Sequence, residues 1–159
     1  MSFNIRETTL SELKQLALQL TPLDSEEVYA AGETPTGFLE RAFYESKCIR
    51  VIEHNKYGVV AITGLGHTPN TAWLLNTAAV FSCKLEYLRA SGWIWREGFK
   101  AASQLVGSSV EFFTNYIWEG QKEHIDWLKW CGATFKEGEV RVVNENRFIP
   151  FVLRKEDLI

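Results

Sequence analysis

Positions 59 to 65 read Val-Val-Ala-Ile-Thr-Gly-Leu, apolar at nearly every step. A strand of this kind has no face to offer water and must be covered on both sides. The flanks supply helices to cover it. Upstream, Leu10, Leu13, Leu16, Ala17 and Leu20 fall on one helical face. Downstream, the stretch from about Ser82 to Leu105 carries Leu85, Leu88, Trp95, Phe99 and Ala102 on a helical stripe. A strand buried on both faces between amphipathic helices predicts an α/β chain. At 159 residues, without linker, repeat or low-complexity segment, it reads as one domain over 1–159.

The remaining elements follow from local signals. Phe3-Asn4-Ile5-Arg6 alternates as a half-buried strand, and Thr9-Leu10-Ser11-Glu12 has the spacing of a capping box. Thr21-Pro22 is expected to end that helix. Asp24-Ser25-Glu26-Glu27 opens a second helix running towards Gly32, and Thr34-Pro35-Thr36 starts a third. Cys48–Glu53 and Val59–Leu65 flank the turn Asn55-Lys56-Tyr57-Gly58 as an antiparallel hairpin, with Thr71–Thr77 a third strand. Ser91-Gly92 is a candidate kink in the long helix. Val110–Ile117 is a strand, Gln121–Cys131 a helix stopped by Gly132, and Thr134–Lys136 and Arg147–Leu153 are strands. Pro150 lacks a backbone donor, which predicts an edge position or a bulge for the last strand.

Composition narrows the function classes. The net charge of −3 argues against sequence-independent nucleic-acid binding, which needs a basic surface. No apolar run reaches the length that spans a bilayer, and Met1–Arg6 has no secretion-type apolar core. Cys48, Cys83 and Cys131 are odd in number and widely spaced, as expected of reduced thiols. His54, His67 and His124 share no ligand spacing with them, so no metal site is expected.

The order strand, helices, three strands, long helix, strand, helix, strands resembles the GNAT acetyltransferase fold, which implies a central, mostly antiparallel mixed sheet. Ile5–Leu13 looks like its opening strand and helix, and Ile125–Phe135 like its closing helix and Gly-aromatic turn. A narrower likeness runs over about residues 48 to 137. Trp73-Leu74-Leu75-Asn76-Thr77, Tyr87-Leu88-Arg89, Asn115–Gly120, His124–Lys129 and Gly132-Ala133 resemble the T7-like phage internal virion protein A family of small GNAT-like proteins. That resemblance implies a non-catalytic part in virion morphogenesis, other virion proteins as partners, and the host cytoplasm or the virion as location. The GNAT resemblance alone implies the alternative, an acetyl-CoA-dependent N-acetyltransferase acting on a protein or a small amine.

GNAT enzymes cradle the cofactor diphosphate in a Gly-rich turn opening the long helix, where backbone N–H groups converge. The corresponding stretch here, Thr77-Ala78-Ala79-Val80-Phe81-Ser82, has no glycine. It points either to a degenerate site with no cofactor or to an acetyl-CoA site at Asn76, Thr77, Ala78, Ala79 and Asn115. The acid that returns a proton to the leaving thiolate is usually a Tyr on the closing helix; Leu128 occupies that place, leaving Tyr116 as a substitute. Candidate bases are Glu53, Glu111 and His124. Asn115, near the point where GNAT strands splay, suits a bridge between unpaired backbone groups as well as a cofactor contact. Trp118, Trp127 and Trp130 are either core or an aromatic patch for a protein partner, since Trp is enriched at interface hot spots.

Overall fold

A computed structural model describes every residue from Met1 to Ile159. The chain runs β1 (Phe3–Glu7), α1 (Leu10–Leu16), α2 (Pro22–Ala30), α3 (Pro35–Glu45), β2 (Ile49–His54), β3 (Gly58–Leu65), β4 (Ala72–Asn76), α4 (Lys84–Val106), β5 (Phe112–Trp118), α5 (Lys122–Cys131), β6 (Thr134–Phe135), β7 (Arg141–Val143) and β8 (Asn146–Arg154). Short 3-10 turns follow α1, β4, β6 and β8.

Capping residues set the helix starts. Thr9, Thr21 and Thr34 each accept a hydrogen bond from the amide three residues on, at α1, α2 and α3 respectively. Thr21-Pro22 therefore opens α2, with Pro22 in the first turn, where its missing donor costs nothing. Gly132 ends α5 at φ +116°; a Cβ there would lie 2.2 Å from the Asp157 carbonyl oxygen. The 23-residue α4 runs unbroken through Ser91-Gly92. Ser91 Oγ donates to the Tyr87 carbonyl and accepts from Trp127 Nε1 at 2.8 Å. Gly92 leaves room for the chain's last residue, as its Cβ would meet the Ile159 oxygen at 3.0 Å. The pair is a packing surface, and the expected kink is absent.

Strands β1-β2-β3-β4 form one antiparallel sheet; β5-β8-β6, with β7 also on β8, form the other. One apolar layer packs α4 and α5 on the sheets through Ile52, Val60, Phe99, Phe113 and Trp127. The other packs α1 to α3 through Leu13, Leu39, Val51, Ile62 and Leu75. Val60, Ala61 and Ile62 are fully buried, as a doubly covered strand requires. Each such Val or Ile contributes about 1.5–3 kcal/mol by leaving water.

Pro150 departs from expectation. It lies in β8, which is flanked on both sides, opposite Tyr116 of β5. Its carbonyl accepts from Lys136 N at 3.0 Å, so its missing N–H points the same way. On that flank β7 pairs only as far as Phe148 and β6 begins at Phe151. The proline thus sits in the gap between two short strands, where no ladder bond is lost. Strand β7 was not expected either. Its turn to β8 uses Asn144 and Glu145 at φ +49° and +66°, a two-residue hairpin turn without the glycine that usually marks one.

Candidate active cleft

The two sheets meet at β4 and β5 through a single parallel bridge, Thr71 to Thr114, and then diverge. Divergence strips backbone groups of partners, and the cleft is built from how each is satisfied. On β5, alternate amides face the gap. Thr114 N donates to the Asn70 carbonyl, Tyr116 N to Asn115 Oδ1, and Trp118 N to Glu27 Oε2 at 2.9 Å. Asn115 Nδ2 crosses the split to the Ala72 carbonyl at 2.9 Å. The residue therefore joins the strands from both ends of its amide. On β4, Thr77 N bonds to the Val60 carbonyl of β3, the Ala72 carbonyl accepts from Asn115 across the split, and the Asn76 carbonyl accepts from Thr21 N at the start of α2. The alternation of an antiparallel strand then turns the Leu74 N–H and C=O into the cleft with no β3 partner.

The resulting cavity is about 370 Å³. Trp73, Leu74 and Leu75 line it from β4, Asn115, Tyr116 and Ile117 from β5, and Trp127 and Leu128 from α5. Phe38 of α3, Val28 of α2, Val143 and Phe148 close the far side. Asn115 lines the cleft, Asn76 lines the neighbouring cavity, and aromatic rings form much of the cleft wall.

Glu27 of α2 is the acid of this cavity. Loss of water around it pushes its carboxyl up to about 7, a rise aided by the nearby Asp24 charge and restrained by the Trp118 N–H. Glu33 is tied to Arg41 through two contacts of 2.8 Å, and Arg141 lies over the Tyr116 ring at 4.4 Å.

A second cavity of about 260 Å³ opens between β4, α4 and α5, and His124 and Trp127 line both. His124 Nε2 is 2.9 Å from Asn76 Oδ1, an acceptor, which places the ring proton on Nε2. The same nitrogen is 3.6 Å from Asp24 Oδ1. Asp24 is buried, accepts from Gln121 Nε2 and bonds to Thr21 Oγ1. Burial raises its pKa, with His124 opposing. Tyr87, 5 % exposed, lines this cavity with a buried hydroxyl that has no partner. Lys84 and Phe81 stand at its outer end, where α4 begins with no side-chain cap.

Several sequence candidates land elsewhere. Glu111 lies at the opposite end of β5, exposed and bonded to Ser109 Oγ, outside the cleft. Glu53 is 3.0 Å from Arg6 on the β1–β2 surface. Tyr116 and His124 do line the cleft. Thr77 is fully buried, donating to the Val59 carbonyl, and the Ala79 and Val80 amides are bonded to Thr77. The Thr77-Ala78-Ala79 turn therefore has no cluster of free donors; the uncapped amides are those opening α4. Trp127 is a core residue, whereas Trp130 is 51 % exposed and Trp118 half-buried. Of the two readings for these rings, core holds for Trp127 and not for Trp130, so no patch unites them. Glu27 was missed because only tertiary folding brings α2 to β5. Asp24, Glu27 and His124 hold potential metal-ligand atoms within 4.8 Å of one another. Each residue is already engaged by a hydrogen bond. No helix is long and apolar enough to cross a membrane.

Solved structures share this architecture. A spermidine N-acetyltransferase from Vibrio cholerae, in complex with CoA and spermine, superposes with TM-score 0.68 at 8% identity over 98% of this chain and 97% of its own. The fold is that of the GCN5-related N-acetyltransferases. A member from Kribbella flavida gives TM-score 0.60 at 10% identity, covering 96% and 98% of the two chains. A Salmonella typhimurium protein described as an acetyltransferase, solved with acetyl-CoA, gives 0.59 at 11% identity, covering 98% and 95%. No family model matches the sequence, and no curated protein does.

Proposed function

We propose that this chain is an acetyl-CoA-dependent N-acetyltransferase acting on an amine. The observation that carries the reading is the β4–β5 cleft, whose one cavity is lined by both Glu27 and Leu74, the latter with its backbone left unpaired by β3. The GNAT fold is shared with proteins whose structures contain CoA or acetyl-CoA.

The residues present fit such a ligand. The Leu74 C=O suits the N–H of a secondary amide running along β4. Tyr87 Oη is a buried donor without an acceptor in the adjoining cavity. Lys84 and the uncapped start of α4 suit a diphosphate, although no glycine lets the backbone approach it closely. When bound, acetyl-CoA supplies a thioester whose C–S bond breaks as the amine nitrogen forms the new C–N bond. Glu27, with a pKa raised to about 7, takes a proton from an ammonium and so exposes its lone pair. The Leu74 N–H stabilises negative charge on an oxygen placed against β4. Tyr116 and His124 line the cavity and are the candidates to return a proton to the leaving thiolate, since Leu128 has no proton to give.

The narrower resemblance to phage internal virion proteins supports a second reading, a non-catalytic protein that binds other virion proteins. The exposed Trp130 ring favours it. Calorimetric titration with acetyl-CoA separates the two. Micromolar binding, weakened by Lys84→Glu, is the expected result. Absence of heat at roughly millimolar ligand overturns the transferase reading and leaves the binding protein.

A further inference from the structure

We propose that the acceptor is a primary amine carried on an aromatic or compact apolar body, held with its ammonium at Glu27 and its body among Phe38, Trp73, Tyr116 and Phe148. This deepens the transferase reading and rests on it. Charge is the first argument. Of the acids lining the cavity, Glu33 is held by Arg41, so Glu27 alone is free of a cationic partner. Arg141 also faces the cavity, from above the Tyr116 ring. One carboxylate beside one guanidinium suits one ammonium. A polyamine, with several positive charges, meets too few acids and a repelling arginine.

Shape and polarity are the second argument. At about 370 Å³ the cavity is at the small end of ligand sites, and three quarters of its lining residues are hydrophobic. Phe38 and Trp73 meet edge to face at 5.0 Å, a rigid corner suited to another ring. The Trp73 indole is itself braced over Gly64, where a Cβ would come within 2.5 Å of the ring. The Trp73 and Phe148 rings, which line the same cavity as Glu27, also favour a cation on the approaching molecule. Transfer to such an amine balances simply. The ammonium gives one proton to Glu27 and thence to solvent. The nitrogen then bonds to the acyl carbon and the C–S bond breaks. The second nitrogen proton ends on the thiol.

The test compares 2-phenylethylamine, spermidine and a lysine peptide by thiol release with acetyl-CoA. Saturable binding of 2-phenylethylamine without acetyl-CoA is followed separately by tryptophan fluorescence. Expected are a kcat/KM for 2-phenylethylamine about tenfold or more above the other two, and saturable quenching. Phe38→Ala raises its KM about tenfold with kcat held, and Phe38→Leu, which keeps apolar volume, lies between. Preference for spermidine or the peptide overturns the acceptor assignment while acetyl transfer stands. Binding that is sensitive to Phe38 but gives no thiol release with any amine supports the amine site and overturns the transferase. Absence of both binding and turnover overturns the inference.

Discussion

Glu27→Gln separates chemistry from stability in one substitution. Glutamine keeps an oxygen to accept the Trp118 N–H and removes the titration. The folded protein holds the Glu27 proton up to about pH 7, whereas an unperturbed glutamate releases it near 4.5. Between those values the native state binds more protons than the unfolded chain. Stability from this group is therefore complete below 4.5 and falls as the pH rises through 7. At about 1.36 kcal/mol per pH unit the full loss is about 3.4 kcal/mol, and partial solvent contact reduces it to about 2–3 kcal/mol. For 159 residues the unfolding entropy is about 0.33 kcal/mol/K, so the variant melts about 6–9 °C above the parent at pH 8. Near pH 4 the two melt together. Asp24, also raised by burial, titrates in both proteins and largely cancels in the difference. Thermal melts by circular dichroism from pH 4 to 8 measure this directly, alongside loss of acetyl transfer. A melting difference that stays constant across that range refutes the assignment of a strained, proton-holding carboxyl at this position.

Three further predictions concern the same region. Asn115→Leu strips partners from the Ala72 carbonyl and the Tyr116 amide; urea unfolding should show a loss of about 2–4 kcal/mol, and a loss under about 0.5 would show that water replaces the bridge. Trp127→Ala should cost about 3–5 kcal/mol, against less than about 0.5 for exposed Trp130→Ala; equal melting temperatures for the two variants would contradict their placement. Tyr87→Phe removes a buried hydroxyl without a partner, so the free protein should gain about 1 kcal/mol while acetyl-CoA binds more weakly in calorimetry; unchanged affinity would remove Tyr87 from the ligand cavity.

The parts of this fold legible in the sequence are those whose cause is local. Periodicity, threonine caps and Gly132 placed α1, α3, α4 and α5, and the apolar run at 59–65 required layers on both faces. Asn115 was legible as a bridge because a short amide near a strand end can serve a donor and an acceptor at once. What stayed hidden depends on neighbours distant in sequence. Pro150 reads as an edge residue until β6 and β7 stop short on either side of it. Trp127 and Trp130 look equivalent on a helical wheel, and only tertiary packing decides which ring turns inward: Trp127 stacks on Tyr87 and Trp95 and donates its indole N–H to Ser91 Oγ. Glu27 is the clearest case. In the sequence it is one of two adjacent acids near the start of a helix, and Glu26 beside it is exposed. Its raised pKa comes from desolvation against β5, 91 residues away, and from Asp24 one helical turn back. A strand splay creates the unpaired Trp118 amide, that amide draws the carboxylate in, and the draw leaves the carboxylate short of water. The break in the sheet that opens the cleft is thus also what holds a desolvated carboxyl of raised pKa at the cavity wall, so the cleft and the proposed base share one structural origin.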